Sequence, residues 1–189
     1  MMRTNPGRMP LMVCSTHSSR PQKLVVTALA TFVLLASFYS VAADSAPQVV
    51  LNSGKAGPRS IEAQTESVIL RDYKFAWASL EQALESDSTA PVNGLFVGTA
   101  NAWLTSAVTN QRNSGLSSRY LNQNHKVEAV FYAPEGDMIE LHDTANYDLQ
   151  ILDGGKNIHD EHVVVHYVVL MTPGADRWVI RQLQAVPQF

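Results

Sequence analysis

Cysteine is almost missing from this chain. Among 189 residues there is one, Cys14. It precedes every segment whose pattern reads as folded. The rest of the chain therefore has no disulfide, no zinc–thiolate site and no thiol nucleophile. A thiol-free domain suits an oxidising compartment, where a lone thiol is a liability. Acidic residues are missing from the first 43 positions, which carry four cations: Arg3, Arg8, Arg20 and Lys23. Taking these four from the 14 Lys+Arg leaves 10 against 17 Asp+Glu, so residues 44–189 have a net charge of −7. An acidic surface repels phosphate backbones, so nucleic acid is not an expected partner. Internal repeats and low-complexity tracts are absent, as are GxSxG, HExxH and paired-carboxylate motifs. Asp153-Gly154-Gly155 reads as a hairpin turn; it lacks the strand–loop–helix setting of a phosphate loop. No cofactor is expected.

What is present begins with an apolar run. Residues 24–43, LVVTALATFVLLASFYSVAA, contain no charge and follow Arg20 and Lys23. A positive flank, an apolar stretch and a small-residue exit form an export signal. Cleavage fits after Ala42 or Ala43. The run also just reaches the roughly 20 apolar residues needed to span a bilayer, so an uncut anchor stays open. Either way, residues 1–43 read as a signal peptide or N-terminal anchor. The remainder is expected in the periplasm of a bacterium, or outside it, secreted or tethered to the inner membrane. Contact with the membrane is expected only through residues 24–43.

Residues 44–62 are rich in Ser, Pro, Gly and Ala and read as a flexible linker. Residues 63–189 read as one domain. Ile69, Tyr73, Ala76, Trp77, Leu80 and Leu84 recur every three or four positions, predicting a helix over about 66–85. Arg71, Lys74, Glu81 and Glu85 fall on its polar side. A second helix is marked by Phe96, Ala100, Trp103, Leu104, Ala107, Val108 and Gln111. Thr99 is its expected cap, and Gly115 supplies a left-handed end. From Lys126 the period changes to two. Strands are expected over about 126–133, 138–152, 159–171 and 177–186, joined by short turns. Helices first and antiparallel strands after give an α+β fold. The sheet, four-stranded and antiparallel, is expected to curve around the helices.

This order resembles the nuclear transport factor 2-like superfamily. The resemblance spans about Val68 to Pro187. It rests on the helix with Tyr73 and Trp77, the Phe96-Val97-Gly98-Thr99-Ala100 entry to the second helix, the Gln111–Tyr120 segment and the strand Arg177-Trp178-Val179-Ile180-Arg181. It is closest to the non-catalytic, membrane-associated branch, which includes C-terminal domains of plastid-division proteins and the mitochondrial import-motor anchor. The resemblance implies a cystatin-like cone with a cavity, used to bind a protein or assemble a complex. It also implies dimerisation through the open face of the sheet, where Val164 and Val168 form an apolar row. The same cone hosts isomerases and cyclases elsewhere, so fold alone does not settle function.

Asp143 is the candidate catalytic residue. Alternation along the second strand puts it on the face of Leu141, Ala145 and Tyr147. Held out of water there, its carboxylate is placed as a general base, with Tyr147, His142 and His166 as conceivable partners. A β-bulge or sheet bend near Asp143 that turns it to solvent or to a buried donor is the competing reading. Trp77, Trp103, Asp143, Tyr147 and Tyr167 are the pocket candidates. Trp77 and Trp103 also read simply as core. His159, His162 and His166 have ligand-like spacing, but they lie in a strand. Four strand residues span about 13 Å, too far for one ion with bonds of about 2 Å. No metal site is expected. Three functions compete: an exported binding or assembly module, a carrier of a small hydrophobic ligand, and an isomerase- or cyclase-like enzyme with Asp143 as base. The module partners a protein or a second copy of itself.

Overall fold

The computed structural model describes residues 46–189. The expected export segment, 24–43, lies outside the described residues. No helix among the described residues is long and apolar enough to cross a membrane.

The domain is α+β, with two helices and a six-stranded mixed sheet. The elements are β1 (Gln48–Asn52), β2 (Gly57–Pro58), α1 (Ala63–Glu85), α2 (Gly98–Ser114), β3 (Leu116–Tyr132), β4 (Ile139–Asp153), β5 (Lys156–Pro173) and β6 (Trp178–Val186). The strand order is β1-β3-β4-β5-β6, and β2 also pairs with β3. The four long strands are antiparallel, whereas β1 and β2 run parallel to β3.

That parallel pairing corrects two expectations. The sheet is not four-stranded and purely antiparallel, and residues 48–58 are not a linker. Val49 is buried and Val50 exposed, the alternation of a half-covered strand. The partner of β1 lies more than 70 residues away, so nothing local announces the pairing. Lys55 adds an ion pair to Glu128 of β3.

Helix α1 forms because its apolar positions keep the 3.6 period. Ile69, Tyr73, Ala76, Trp77, Leu80, Ala83 and Leu84 are all buried. It packs against β1, β3 and β6. Burying each large apolar side chain contributes about 1.5–3 kcal/mol. Asp87, at φ 50, bends the chain away after the helix, and Arg112 of α2 donates to its carbonyl at 3.1 Å. Glu81 departs from the pattern. Expected on the polar side, it is buried, facing β3.

Helix α2 has a narrower stripe, with only Ala100, Leu104 and Val108 buried. Trp103 sits one step around the helix from Leu104 and is 44 % exposed, so it is not a core residue. Thr99 does not cap the helix; Val97 holds the N-cap position, and the Thr99 hydroxyl donates to the Arg181 carbonyl at 3.2 Å. Gly115 ends α2 at φ 69, as the spacing predicts.

Strand β3 begins directly after Gly115, ten residues before the expected start. Its pairing with β4 slips between Leu121 and Asn124. Asn122 is in the left-handed region there, at φ 55. The extra residue switches which side chains face the helices. Ser118 is buried before the bulge; Gln123, His125, Val127 and Ala129 are buried after it. A second slip between Ala129 and Phe131 returns even-numbered Tyr132 to the interior.

Candidate functional site

Strand β4 holds its alternation without a break from Ile139 to Tyr147. Asp143 therefore points inward, and it is completely buried. Two polar groups meet its Oδ2. The Tyr73 hydroxyl of α1 donates at 2.7 Å, and His125 Nδ1 of β3 lies at 2.7 Å. The chain of contacts continues through the other side of the imidazole. His125 Nε2 is 3.5 Å from Gln123 Oε1, and Gln123 Nε2 donates to Glu81 Oε2 at 2.5 Å. Helix and sheet are thus joined by polar side chains as well as apolar ones.

Aromatic rings wall this network. The Trp77 ring lies 4.4 Å from the His125 ring, tilted across it. Tyr73 meets His125 edge-on at 6.1 Å, and Tyr167 closes on Trp77 at 5.5 Å. Loss of water, reinforced by the neighbouring Asp143 charge, pushes the Tyr73 hydroxyl well above its ordinary range. Asp143 Oδ1 has no hydrogen-bond partner among the described residues. An unmatched buried acceptor carries a desolvation cost.

A second aromatic group lies beside the first. Tyr120 and Tyr147 stack at 4.4 Å. Burial, followed by contact with Tyr147, raises the hydroxyls of Tyr120 and Tyr167 above the usual tyrosine range.

Of the five pocket candidates, the structure gathers four inside. Trp77, Asp143, Tyr147 and Tyr167 are buried. Trp103 is outside, beside a groove of about 380 Å³ that Thr99, Gln182, Leu183 and Gln184 also line. The conceivable partners of Asp143 are not its partners. His142 faces the opposite side of the sheet, 3.3 Å from Glu140, stacked on Phe189 at 4.3 Å. His166 meets the Thr144 hydroxyl at 3.1 Å. Tyr147 stacks on Tyr120. The true partners are Tyr73 and His125. Tyr73 is visible on the α1 stripe. His125 falls one residue short of the expected strand, and its inward face is set by the register shift between Leu121 and Asn124.

The spaced histidines do not converge. His162 Nδ1 is 2.8 Å from Asp148, His159 lies 3.5 Å from Glu161, and His166 is on Thr144. No cluster able to hold a metal ion occurs among the described residues.

Tyr, His and Asp in one network are groups that can move protons. A general base must, however, come within hydrogen-bond reach of its substrate. Asp143 and His125 have no exposed surface. Surface grooves lie elsewhere. One, of about 350 Å³, is bounded by Arg71, Asp72, Phe75, Asp176 and Arg177. Another, of about 520 Å³, lies by Val50, Lys126 and Glu128. As arranged, the network fastens α1 to β3 and β4.

No family model matches the chain, and no curated protein matches it. Among solved structures, it is similar to the intermembrane space region of the chloroplast protein ARC6. The two are 15 % identical with a TM-score of 0.52, over 68 % of this chain and 98 % of that one. At this identity the likeness is one of fold.

Proposed function

We propose that residues 46–189 form a non-catalytic binding or assembly domain that works outside the cytosol and engages a protein. The observation that carries the proposal is the sealing of Asp143. Its carboxylate is fully buried and engaged by Tyr73 and His125. A residue so enclosed serves the fold. Filling of the interior by Trp77, Tyr147 and Tyr167 supports a protein partner over a small hydrophobic cargo.

The shape belongs to the same proposal. Two helices followed by long antiparallel strands, with α1 across the buried face, resemble the nuclear transport factor 2-like cone. Export rests on the cations, the uncharged run 24–43 and the thiol-free remainder of the chain. The intermembrane-space setting of the similar chloroplast region is in keeping with it.

Native mass spectrometry on the chain recovered from its own cell envelope tests this reading. The expected result is the protein alone, or with a second protein in stoichiometric amount. Asp143→Asn leaves that capture intact. A small molecule retained in stoichiometric amount overturns the reading in favour of a carrier or an enzyme. The intact mass also tells whether the chain is cut after Ala42 or Ala43.

A further inference from the structure

Strand β5 outruns its neighbour. Pairing with β6 begins only at His166, opposite Val186, whereas pairing with β4 continues to Lys156. From Lys156 to Val165, one edge of β5 has no partner strand among the described residues. The stretch is largely exposed, with Ile158 at 55 % and Val164 at 58 %. A long open strand edge is a template for another strand.

We propose that this edge pairs with the same edge of a second copy, antiparallel, about a two-fold axis at Glu161. Residues that face each other in an antiparallel ladder share a face and aim their amides at the same edge. A symmetric ladder therefore has its axis on a residue, and Glu161 is one of the two residues at the middle of the stretch 156–165. The sequence around it is self-complementary. Asp160 of each copy meets His162 of the other, and exposed Ile158, in the bulge where regular alternation stops, comes opposite Val164. Hydrogen-bonding pairs and apolar pairs facing each other across strands are favourable.

The polar side chains are already held. His162 Nδ1 is 2.8 Å from Asp148, and in the protonated imidazole Nε2–H donates to Asp160 of the second copy. Gln150 and Asn157 each donate to Asp160 at 2.8 Å. Fixed side chains lose less freedom on association. On the other face the axial Glu161 carboxylates oppose the pairing; each lies 3.5 Å from its own His159, which offsets the repulsion when the imidazole is protonated. Ile158 is the extra residue of the only slip in the β4–β5 pairing, at Ile151/Leu152. It stands where the new ladder ends.

This interface is distinct from the sheet-face dimer that the family resemblance implies. That face presents Lys126, Glu128, Glu140, His142 and His166 around half-buried Val168, and shares only Val164 with the edge pairing. The inference specifies a second copy as one partner of the assembly domain proposed above, yet it rests on the β5 edge alone.

The test is cysteine cross-linking in the full chain, purified in mild detergent with Cys14→Ser as background. Under mild oxidation Glu161→Cys forms a disulfide-linked dimer. Glu135→Cys, in the exposed turn between β3 and β4, does not. Adding Val164→Lys to Glu161→Cys lowers the dimer yield about tenfold by placing a cation in the apolar pair. Circular dichroism confirms that each variant is folded. The proposal is overturned if Glu161→Cys stays monomeric, if Glu135→Cys links equally well, or if Val164→Lys has no effect. The protein-binding reading falls separately, on the native mass experiment.

Discussion

His125 and Asp143 meet at 2.7 Å with neither side chain exposed, although they do not face each other in the sheet. Asp143 is opposite Val127, and His125 is opposite Ala145. The contact is diagonal, between same-face residues two positions out of register. Removing one member of a buried pair strands the other without its partner. His125→Leu or Asp143→Leu alone is expected to cost about 3–5 kcal/mol. The double variant is expected to cost less than the sum, because no stranded group remains from the pair. Urea unfolding of the four proteins measures this coupling. Additive losses would mean that the two side chains act independently.

Alkaline pH provides a second check. Burial holds the hydroxyls of Tyr73, Tyr120 and Tyr167 above the ordinary tyrosine range in the folded chain. A raised folded value favours the protonated form. The contribution is whole below pH 10 and is lost as pH rises above the unfolded value. Urea midpoints are therefore expected to fall steeply above pH 10. Tyrosinate absorbance from these three rings should appear only with unfolding. A smooth three-ring titration in the folded protein would contradict the packing.

The bulge in β3 depends on a left-handed residue. Asn122 holds φ 55, and its amide donates to Asp148 at 2.7 Å. Asn122→Gly keeps the backbone conformation and loses only an exposed hydrogen bond. Asn122→Val is expected to cost about 1–3 kcal/mol, since a β-branched side chain is strained there. Comparing the two urea midpoints separates backbone strain from the lost bond. Equal losses would place the cost in the hydrogen bond.

The two helical tryptophans should differ sharply. Trp77 is buried among Tyr73, His125 and Tyr167, and Trp77→Ala is expected to cost about 3–5 kcal/mol. Trp103 is nearly half exposed, and Trp103→Ala should stay within about 0.5 kcal/mol of the parent. Quenching of Trp103 fluorescence by a soluble quencher, with Trp77 protected, makes the same point without denaturant.

Much of the architecture is legible in local pattern. The α1 stripe, the Gly115 stop and the alternation of β4 each follow from spacing of three to four, or of two. The β4 alternation alone puts Asp143 indoors. Other features do not show locally. The pattern puts Glu81 outside, yet Gln123 reaches it from 42 positions away. Trp103 looks like core because two stripes can be drawn through α2, and only the fit against the sheet selects Ala100, Leu104 and Val108. The end of β4 shows the same limit. Simple alternation would bury Ile151, yet Ile151 is half-buried and Leu152 is buried.

The sequence by itself determined the two helices ahead of the long antiparallel strands, the thiol-free acidic composition of residues 44–189 and the inward side of β4. These are consequences of composition and of periods that one segment carries within itself. Tertiary structure alone decided that β1 and β2 join the sheet, that the bulge at Asn122 turns His125 inward, and that His125 and Tyr73 close over Asp143. Pairing partners and register are set between distant segments. A one-residue shift in register exchanges the two faces of a strand, so the residues that enclose Asp143 were settled only when those segments met.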